Sequence, residues 1–223
     1  MRIAVESRRE NNIAGMLKKL GHKVTNWNPE LVIAYGGDGT FLKSEREYPN
    51  VPKIFIYNSA TCKPCCVCDF EKILQNISGL KFREEMKLEA EIKGKRIFAL
   101  NDINIHYNPP RALRFDVRVN GKLVAEDVIG DGIVAATSFG STAYFHAITG
   151  KRFTKGIGIA FNNPTKKIRA IITKENSEIE VSVKRESGIV AWDDSLKTIP
   201  IKEGDVIKIR KSAPVKVCLL KKA

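Results

Sequence analysis

Leu31-Val32-Ile33-Ala34-Tyr35-Gly36-Gly37-Asp38-Gly39-Thr40 is the stretch on which the fold turns. Its first half is an unbroken apolar run, as expected of a strand buried on both faces. The glycines that follow permit a sharp turn at positive φ and let a ligand approach the backbone. An aspartate among exposed N–H groups, at the carboxyl end of a strand in an α/β unit, sits where open sheets bind ligands. The junction therefore reads as a phosphate-handling site. The simpler alternative is a strand-to-helix turn in which Asp38 only caps a segment beginning near Thr40. Neither the P-loop pattern nor Gly-x-Gly-x-x-Gly occurs: Gly150-Lys151 is followed by Arg152 and has Phe145 where the P-loop needs glycine.

Working outward from this junction, the first part of the chain alternates strand and helix. Arg2 to Val5 reads as a strand, and Ile13, Met16, Leu17 and Leu20 fall at helical spacing before Gly21. A short helix is expected from Thr40 to Glu47, then a strand from Lys53 to Tyr57 and a helix with Asp69 as N-cap and Gly79 as stop. From about Glu85 the texture changes to short alternating strands: Lys87 to Ile92, Ile97 to His106, Leu113 to Val119 and Lys122 to Val128, with Asn120-Gly121 as a hairpin turn. More follow at Ile133 to Ala136, Ile157 to Phe161, Ile168 to Thr173, Glu178 to Val183 and Val206 to Ile209, interrupted by a helix starting after Ser141. The expectation is an α/β N-terminal domain over 1–84, a small parallel sheet with flanking helices, and a β-rich domain over 85–210. The segment 211–223, with its strand Val215 to Leu219, is expected to return to the first domain.

A chain of 223 residues can bury a sizeable core. No signal-peptide layout and no membrane-length apolar run are present, so a soluble, cytoplasmic protein is expected. The net charge of +13, from 38 Lys and Arg against 25 Asp and Glu, is spread over scattered pairs rather than one basic helix. No nucleic-acid-binding signature accompanies it, so solvated faces on a basic protein explain it better than DNA or RNA. Cys62, Cys65, Cys66 and Cys68 crowd one loop. They read either as half of a zinc or redox site or as free thiols in a reducing compartment.

Two further polar clusters lie in the β-rich half. One is Asn101-Asp102; the other is Gly130-Asp131-Gly132 followed by Thr137-Ser138-Phe139-Gly140-Ser141-Thr142-Ala143-Tyr144. Taken singly, each could be a turn or a helix cap. Together with Gly-Gly-Asp-Gly-Thr, in this order, the chain resembles the NAD kinase family. Members of that family carry the glycine motif in an α/β domain, an Asn-Asp or Asn-Glu pair opening a β-rich domain, and an Asp-Gly segment leading into Thr-Gly-Ser-Thr-Ala-Tyr. Lipid kinases and phosphofructokinases share a Gly-Gly-Asp-Gly core, so the second and third clusters are what favour NAD.

The resemblance implies transfer of a phosphoryl group from ATP or polyphosphate to the adenosine 2′-hydroxyl of NAD, with Mg2+ riding on the donor. It makes Asp38 the base, with Gly37 and Gly39 opening the backbone to phosphates and Phe41 lining the adenosine pocket. Thr40, Lys43 and Arg111 become candidates for phosphate contact. Asn101, Asp102, Asp131, Thr142, Ala143 and Tyr144 become candidates for holding NAD, and Asp193 for reaching the nicotinamide-side ribose. A homodimer or homotetramer, without nucleic-acid or membrane partners, is implied as well.

The chain departs from the family pattern in three places. Asn58 stands where an Asn-x-Gly-x-Leu-Gly-Phe stretch is usual, but the cysteine cluster follows it, with Phe70 as the matching aromatic. Phe139 replaces a small or polar residue, and a Pro-His segment is reduced to Asn162-Asn163-Pro164. Serine-nucleophile chemistry is disfavoured because Ala136-Thr137-Ser138-Phe139-Gly140 lacks the first glycine of the elbow. His22, His106 and His146 form no recognisable triad, although His106 lies close enough after Asp102 to line a site. The rival readings are a lipid kinase, which needs an acyl pocket, and a non-catalytic dinucleotide sensor.

Overall fold

The computed structural model describes residues 1–8, 12–57, 70–108 and 111–220, and the chain separates into two compact units, 1–85 with 214–223, and 86–213. The cysteine cluster, Asn58, Asp69, Pro109 and Pro110 lie outside the described residues. No helix among those described is long and apolar enough to cross a membrane.

The first unit contains β1 (Arg2–Ser7), α1 (Ile13–Lys19), β2 (Lys23–Val24), β3 (Leu31–Gly36), α2 (Asp38–Glu47), β4 (Lys53–Tyr57) and α3 (Phe70–Gln75). Its strands pair in parallel in the order β2-β1-β3-β4, and residues 217–220 of the last strand of the chain extend the sheet beside β4. Strand alternation divides the apolar residues between two faces. Ile3, Ile33, Ile54 and Ile56 pack with Ile13 and Leu17 of α1 and Leu74 of α3. On the other face Phe55 stacks on Phe41 of α2, ring centroids 4.5 Å apart. Each aliphatic side chain buried this way contributes about 1.5–3 kcal/mol relative to exposure. Leu20, expected on the buried face of α1, follows the end of the helix and is 40% exposed.

The second unit is a pair of antiparallel sheets. Its strands are β5 (Arg83–Ile92), β6 (Lys95–Ala99), β7 (Asp102–Tyr107), β8 (Leu113–Val119), β9 (Lys122–Gly130) and β10 (Gly132–Ala136). After helix α4 (Tyr144–Thr149) come β11 (Ile157–Asn162), β12 (Ile171–Thr173), β13 (Ile179–Arg185), β14 (Gly188–Trp192), β15 (Ile199–Ile201) and β16 (Val206–Leu220). One sheet joins residues 206–209 of β16 to β13, β8 and β9; the other runs β12-β11-β10-β7-β14-β15. Phe115, Val117, Ile179, Val181, Ile207 and Ile209 of the first share one core with Ile103, Ile105, Ile133, Ile159 and Val190 of the second. The Asn120-Gly121 turn has φ of 51° and 77°, the doubly left-handed geometry of a tight hairpin.

Several elements differ from the sequence expectation. The single strand expected from Ile97 to His106 breaks at Leu100-Asn101 into β6 and β7, which belong to different sheets. Conversely, the strands expected at Val206 to Ile209 and Val215 to Leu219 are one long strand, β16, despite the Pro214 between them. Residues 206–209 pair with β13 and residues 217–220 with β4, while β5 pairs with the same strand. The helix expected after Ser141 is a 3-10 turn, Gly140–Thr142, followed by the six-residue α4. β2, β14 and β15 had no counterpart in the periodicity because each is short or flanks a turn.

Candidate active site

In the first unit, β3 delivers the chain to Gly36-Gly37. A methyl group on Gly36 would run into Thr40 Oγ1, so the turn closes tightly enough to require glycine there. Gly37 is extended (φ −93°) and serves as N-cap of α2, so of the two glycines expected at positive φ only Gly36 adopts it. The Gly37 carbonyl accepts from the N–H groups of Thr40 (3.0 Å) and Phe41 (3.2 Å). Helix α2 thus begins at Asp38, two residues before the expected start, and Asp38 lies in its first turn rather than at the cap. The first N–H groups of a helix have no intrahelical partner and carry the positive end of its dipole, which suits phosphate. Asp38 is exposed, and partial desolvation by the loop raises its carboxyl above the ordinary value.

The other residues singled out near this turn are already engaged. Thr40 is 4% exposed and Phe41 1%, both packed inside the unit. The Lys43 ammonium donates to Glu6 Oε1 at 2.7 Å. Arg111, in the second unit, is an exposed side chain whose guanidinium donates to Glu186 at 3.4 Å.

The second unit gathers a different constellation around the corner between β6 and β7. Asp193 turns its carboxylate onto this corner: Oδ2 accepts from the Leu100 N–H (2.9 Å), and Oδ1 from those of Asn101 (2.7 Å) and Asp102 (3.3 Å). On the other side Thr137, just past β10, donates its N–H to the Asn101 carbonyl (2.9 Å) and its hydroxyl to the Leu100 carbonyl (2.6 Å). Gly140 packs so closely on the Asn101 backbone that a Cβ there would overlap its carbonyl. Asp102 is 7% exposed. Burial, reinforced by the Asp193 charge, pushes its carboxyl up to about 7. Burial also raises Asp193, to about 6, against the lowering effect of its three N–H donors.

Strand alternation along β7 sends Ile103 and Ile105 into the core and Asp102, Asn104 and His106 to the opposite face. Asn101 Oδ1 and Asn104 Oδ1 are buried without a hydrogen-bond partner among the described residues. Part of this face is covered by α4, whose Phe145 packs with Val134, Ala136, Phe153 and Ala160. Thr142 and Ala143 are exposed just before α4, and the Tyr144 hydroxyl accepts from Asn162 Nδ2 at 3.0 Å. At the other end of β10, Asp131 accepts from Asn163 Nδ2 at 3.4 Å. The His106 ring stacks on Tyr107 near that end, opposite Gly132.

The structure therefore groups Asn101, Asp102 and Asp193 at one end of the β7 and β10 pair, and Asp131, Tyr144 and His106 toward the other. Asn104 was not singled out from sequence, and Thr137 was named within a polar cluster but given no role. The Asp-Ile-Asn-Ile-His alternation was the available signal for Asn104; the work of Thr137 is done on a distant backbone.

Residues 100–219, more than half of the chain, match the model of the ATP-NAD kinase C-terminal domain. The chain belongs to the NAD kinase family. The match begins at the Leu100–Asp102 corner and spans Asp131, Thr137, Tyr144 and Asp193. Among relatives of the same family, the NAD kinase of Sulfurisphaera tokodaii is 29% identical over 178 residues, covering 77% of this chain and 71% of that protein. Two solved structures share the fold: yeast NADH kinase complexed with NADH, and an NAD kinase from Archaeoglobus fulgidus in complex with ATP. The first has a TM-score of 0.83 at 16% identity, covering 99% of this chain and 84% of that one. The second has a TM-score of 0.79 at 20% identity, covering 98% and 93%.

Proposed function

We infer that the protein is an NAD kinase, a phosphotransferase that phosphorylates the adenosine 2′-hydroxyl of NAD to give NADP. The observation that carries this reading is the family match over residues 100–219, which contains the ordered Asn101–Asp102 corner. The unpartnered, buried Asn101 Oδ1 supports it, because such an atom is costly to keep unless a ligand completes it.

In this reading Asp38 orients the 2′-hydroxyl and takes its proton as the phosphorus–oxygen bond forms, while the donor's terminal bridging oxygen leaves with the electrons of the broken bond. Phosphoryl transfer has a loose transition state, so positioning and charge stabilisation carry most of the catalysis and a weak base is sufficient. General-base assistance is typically about 10²- to 10⁴-fold. The N–H groups of Gly37, Gly39 and the first turn of α2 receive donor phosphates. Asn101 and Asp102 hold the adenosine portion, with the Asp102 carboxylate accepting from ribose hydroxyls. Asp131, Thr142, Ala143 and Tyr144 support the rest of the dinucleotide. Lys43 and Arg111, each bound to a glutamate through one N–H group, contact phosphate through their remaining donors.

ATP or polyphosphate serves as donor in this reading. Mg2+ would ride on the donor phosphates, where it would neutralise phosphate charge, and Asp38 is the carboxylate of this loop that would help hold it. A cytoplasmic homodimer or homotetramer completes the reading and rests on the family resemblance.

The test is NADP formation from NAD, Mg2+ and either donor, read with an NADP-specific dehydrogenase. Wild type is expected to produce NADP, and Asp38→Asn to lose at least 10²-fold in kcat while still binding NAD. Undiminished turnover by Asp38→Asn removes the base assignment; NAD binding without turnover on either donor establishes the sensor reading instead.

A further inference from the structure

The chain passes from β6 to β7 through Leu100, Asn101 and Asp102, and these strands belong to different sheets. A corner of this kind interrupts the ladders, so its backbone polar groups need partners from elsewhere. Two residues provide them for all six groups. Asp193 accepts from the three N–H groups, and its own N–H donates to the Asp102 carbonyl at 3.0 Å. Thr137 satisfies the carbonyls of Leu100 and Asn101.

The chemistry of position 193 is specific. Three converging N–H donors demand an acceptor with two oxygens and no donor of its own, which describes a carboxylate and not an amide. The arrangement is kept despite two costs. Asp193 holds a left-handed backbone, φ 48°, and its charge lies close enough to Asp102 to disfavour ionisation of that neighbour. Both oxygens bond to the protein backbone, Oδ1 accepting two N–H groups and Oδ2 one.

We propose that Asp193 is a positioning residue: its carboxylate locks the Leu100–Asp102 backbone so that Asn101 and Asp102 can grip NAD, and it does not itself touch the dinucleotide. This inference rests on the NAD kinase reading above and reassigns Asp193 from the nicotinamide-side ribose contact that the family resemblance implied.

The test uses the full chain without substrate and then with NAD. Amide hydrogen exchange at residues 100–102, read residue by residue by NMR, is compared among wild type, Asp193→Asn and Asp193→Ala. The clamp predicts faster exchange at these amides in both variants before any ligand is added, with other β7 amides little changed. NAD affinity should fall roughly ten-fold or more, as for a lost charge-assisted hydrogen bond, while the donor KM holds. Asn101→Ala, which weakens wild type, should cost little further in the Asp193→Ala background, because a loosened corner has already lost Asn101. Should Asp193→Ala fold poorly, the isosteric Asp193→Asn carries every measurement. Unchanged exchange at residues 100–102, or additive losses of NAD affinity, overturns the proposal in favour of direct contact. Wild type that neither binds nor phosphorylates NAD refutes the functional reading, and the exchange comparison still decides whether the clamp exists.

Discussion

The Thr137 hydroxyl lies 2.6 Å from the carbonyl oxygen of Leu100, a residue 37 positions earlier in the chain, and also accepts from the Gly140 N–H at 3.0 Å. One side chain thus ties the β6–β7 corner to the turn that leads into α4. Thr137→Val keeps the shape but removes both bonds, leaving the Leu100 carbonyl and Gly140 N–H unpaired in a fully buried place. The expected loss is about 1–3 kcal/mol of stability, with a raised KM for NAD. Denaturant unfolding and NAD saturation curves check both; a variant as stable as wild type with an unchanged KM contradicts the role given to Thr137.

Asp102 makes stability and activity respond to pH in opposite directions. Burial raises its folded-state carboxyl to about 7, against an ordinary value of 3.8, so the folded state binds this proton more tightly. The associated stabilisation is complete below about pH 4 and is lost as pH rises through about 7. Asp102→Asn is therefore expected to flatten the fall in melting temperature between those limits and to melt higher at pH 7.5. Turnover needs the ionised form to accept from ribose hydroxyls, so wild-type kcat/KM for NAD should drop below about pH 7. Melting scans and pH–rate profiles on both proteins read the two effects separately.

Gly36→Ala places a methyl group against the Thr40 hydroxyl, and Thr40 is buried and β-branched, with little freedom to yield. Its expected cost is about 1–3 kcal/mol, together with loss of phosphoryl transfer as the α2 start shifts. Thr40→Ala in the same chain removes the obstructing hydroxyl, so the double variant should regain part of the stability. Absence of any recovery would assign the defect to backbone conformation instead.

Lys53 is completely buried at the start of β4, where its ammonium meets Glu45 Oε2 at 2.5 Å and the carbonyls of Tyr48 and Val51 at 2.8 Å. Lys53→Met takes the cation from the buried Glu45 carboxylate, which keeps the Asn50 N–H on Oε1, and removes one donor from the Tyr48 and Val51 carbonyls, an expected loss of about 3–5 kcal/mol. Adding Glu45→Gln removes the stranded charge and should restore a measurable part of it. Chemical denaturation of the two variants side by side is the check.

The sequence determined on its own what depends on neighbours in the chain. The apolar run before Gly36 specifies a buried strand, the spacing of Ile13 and Leu17 specifies a helix face, and Asn120-Gly121 specifies a hairpin, because each is set by local sterics or by a period of two or 3.6 residues. Lys53 to Tyr57 and Leu113 to Val119 form strands with the ends that periodicity gave them. The order of the polar clusters was likewise legible, and with it the family. What only tertiary structure decided depends on residues far apart. The apolar pattern runs through Leu100 without interruption, yet the strand breaks there because its two halves pair with different partners. Val206 to Leu220 stays one strand for the reverse reason: successive partners take over along its length. The family resemblance offered Asp193 as a contact to the nicotinamide-side ribose. In the fold its carboxylate faces three backbone N–H groups some 90 residues away in sequence. Hydrogen-bond demand at a corner is created by how strands pair, and no local pattern carries that information.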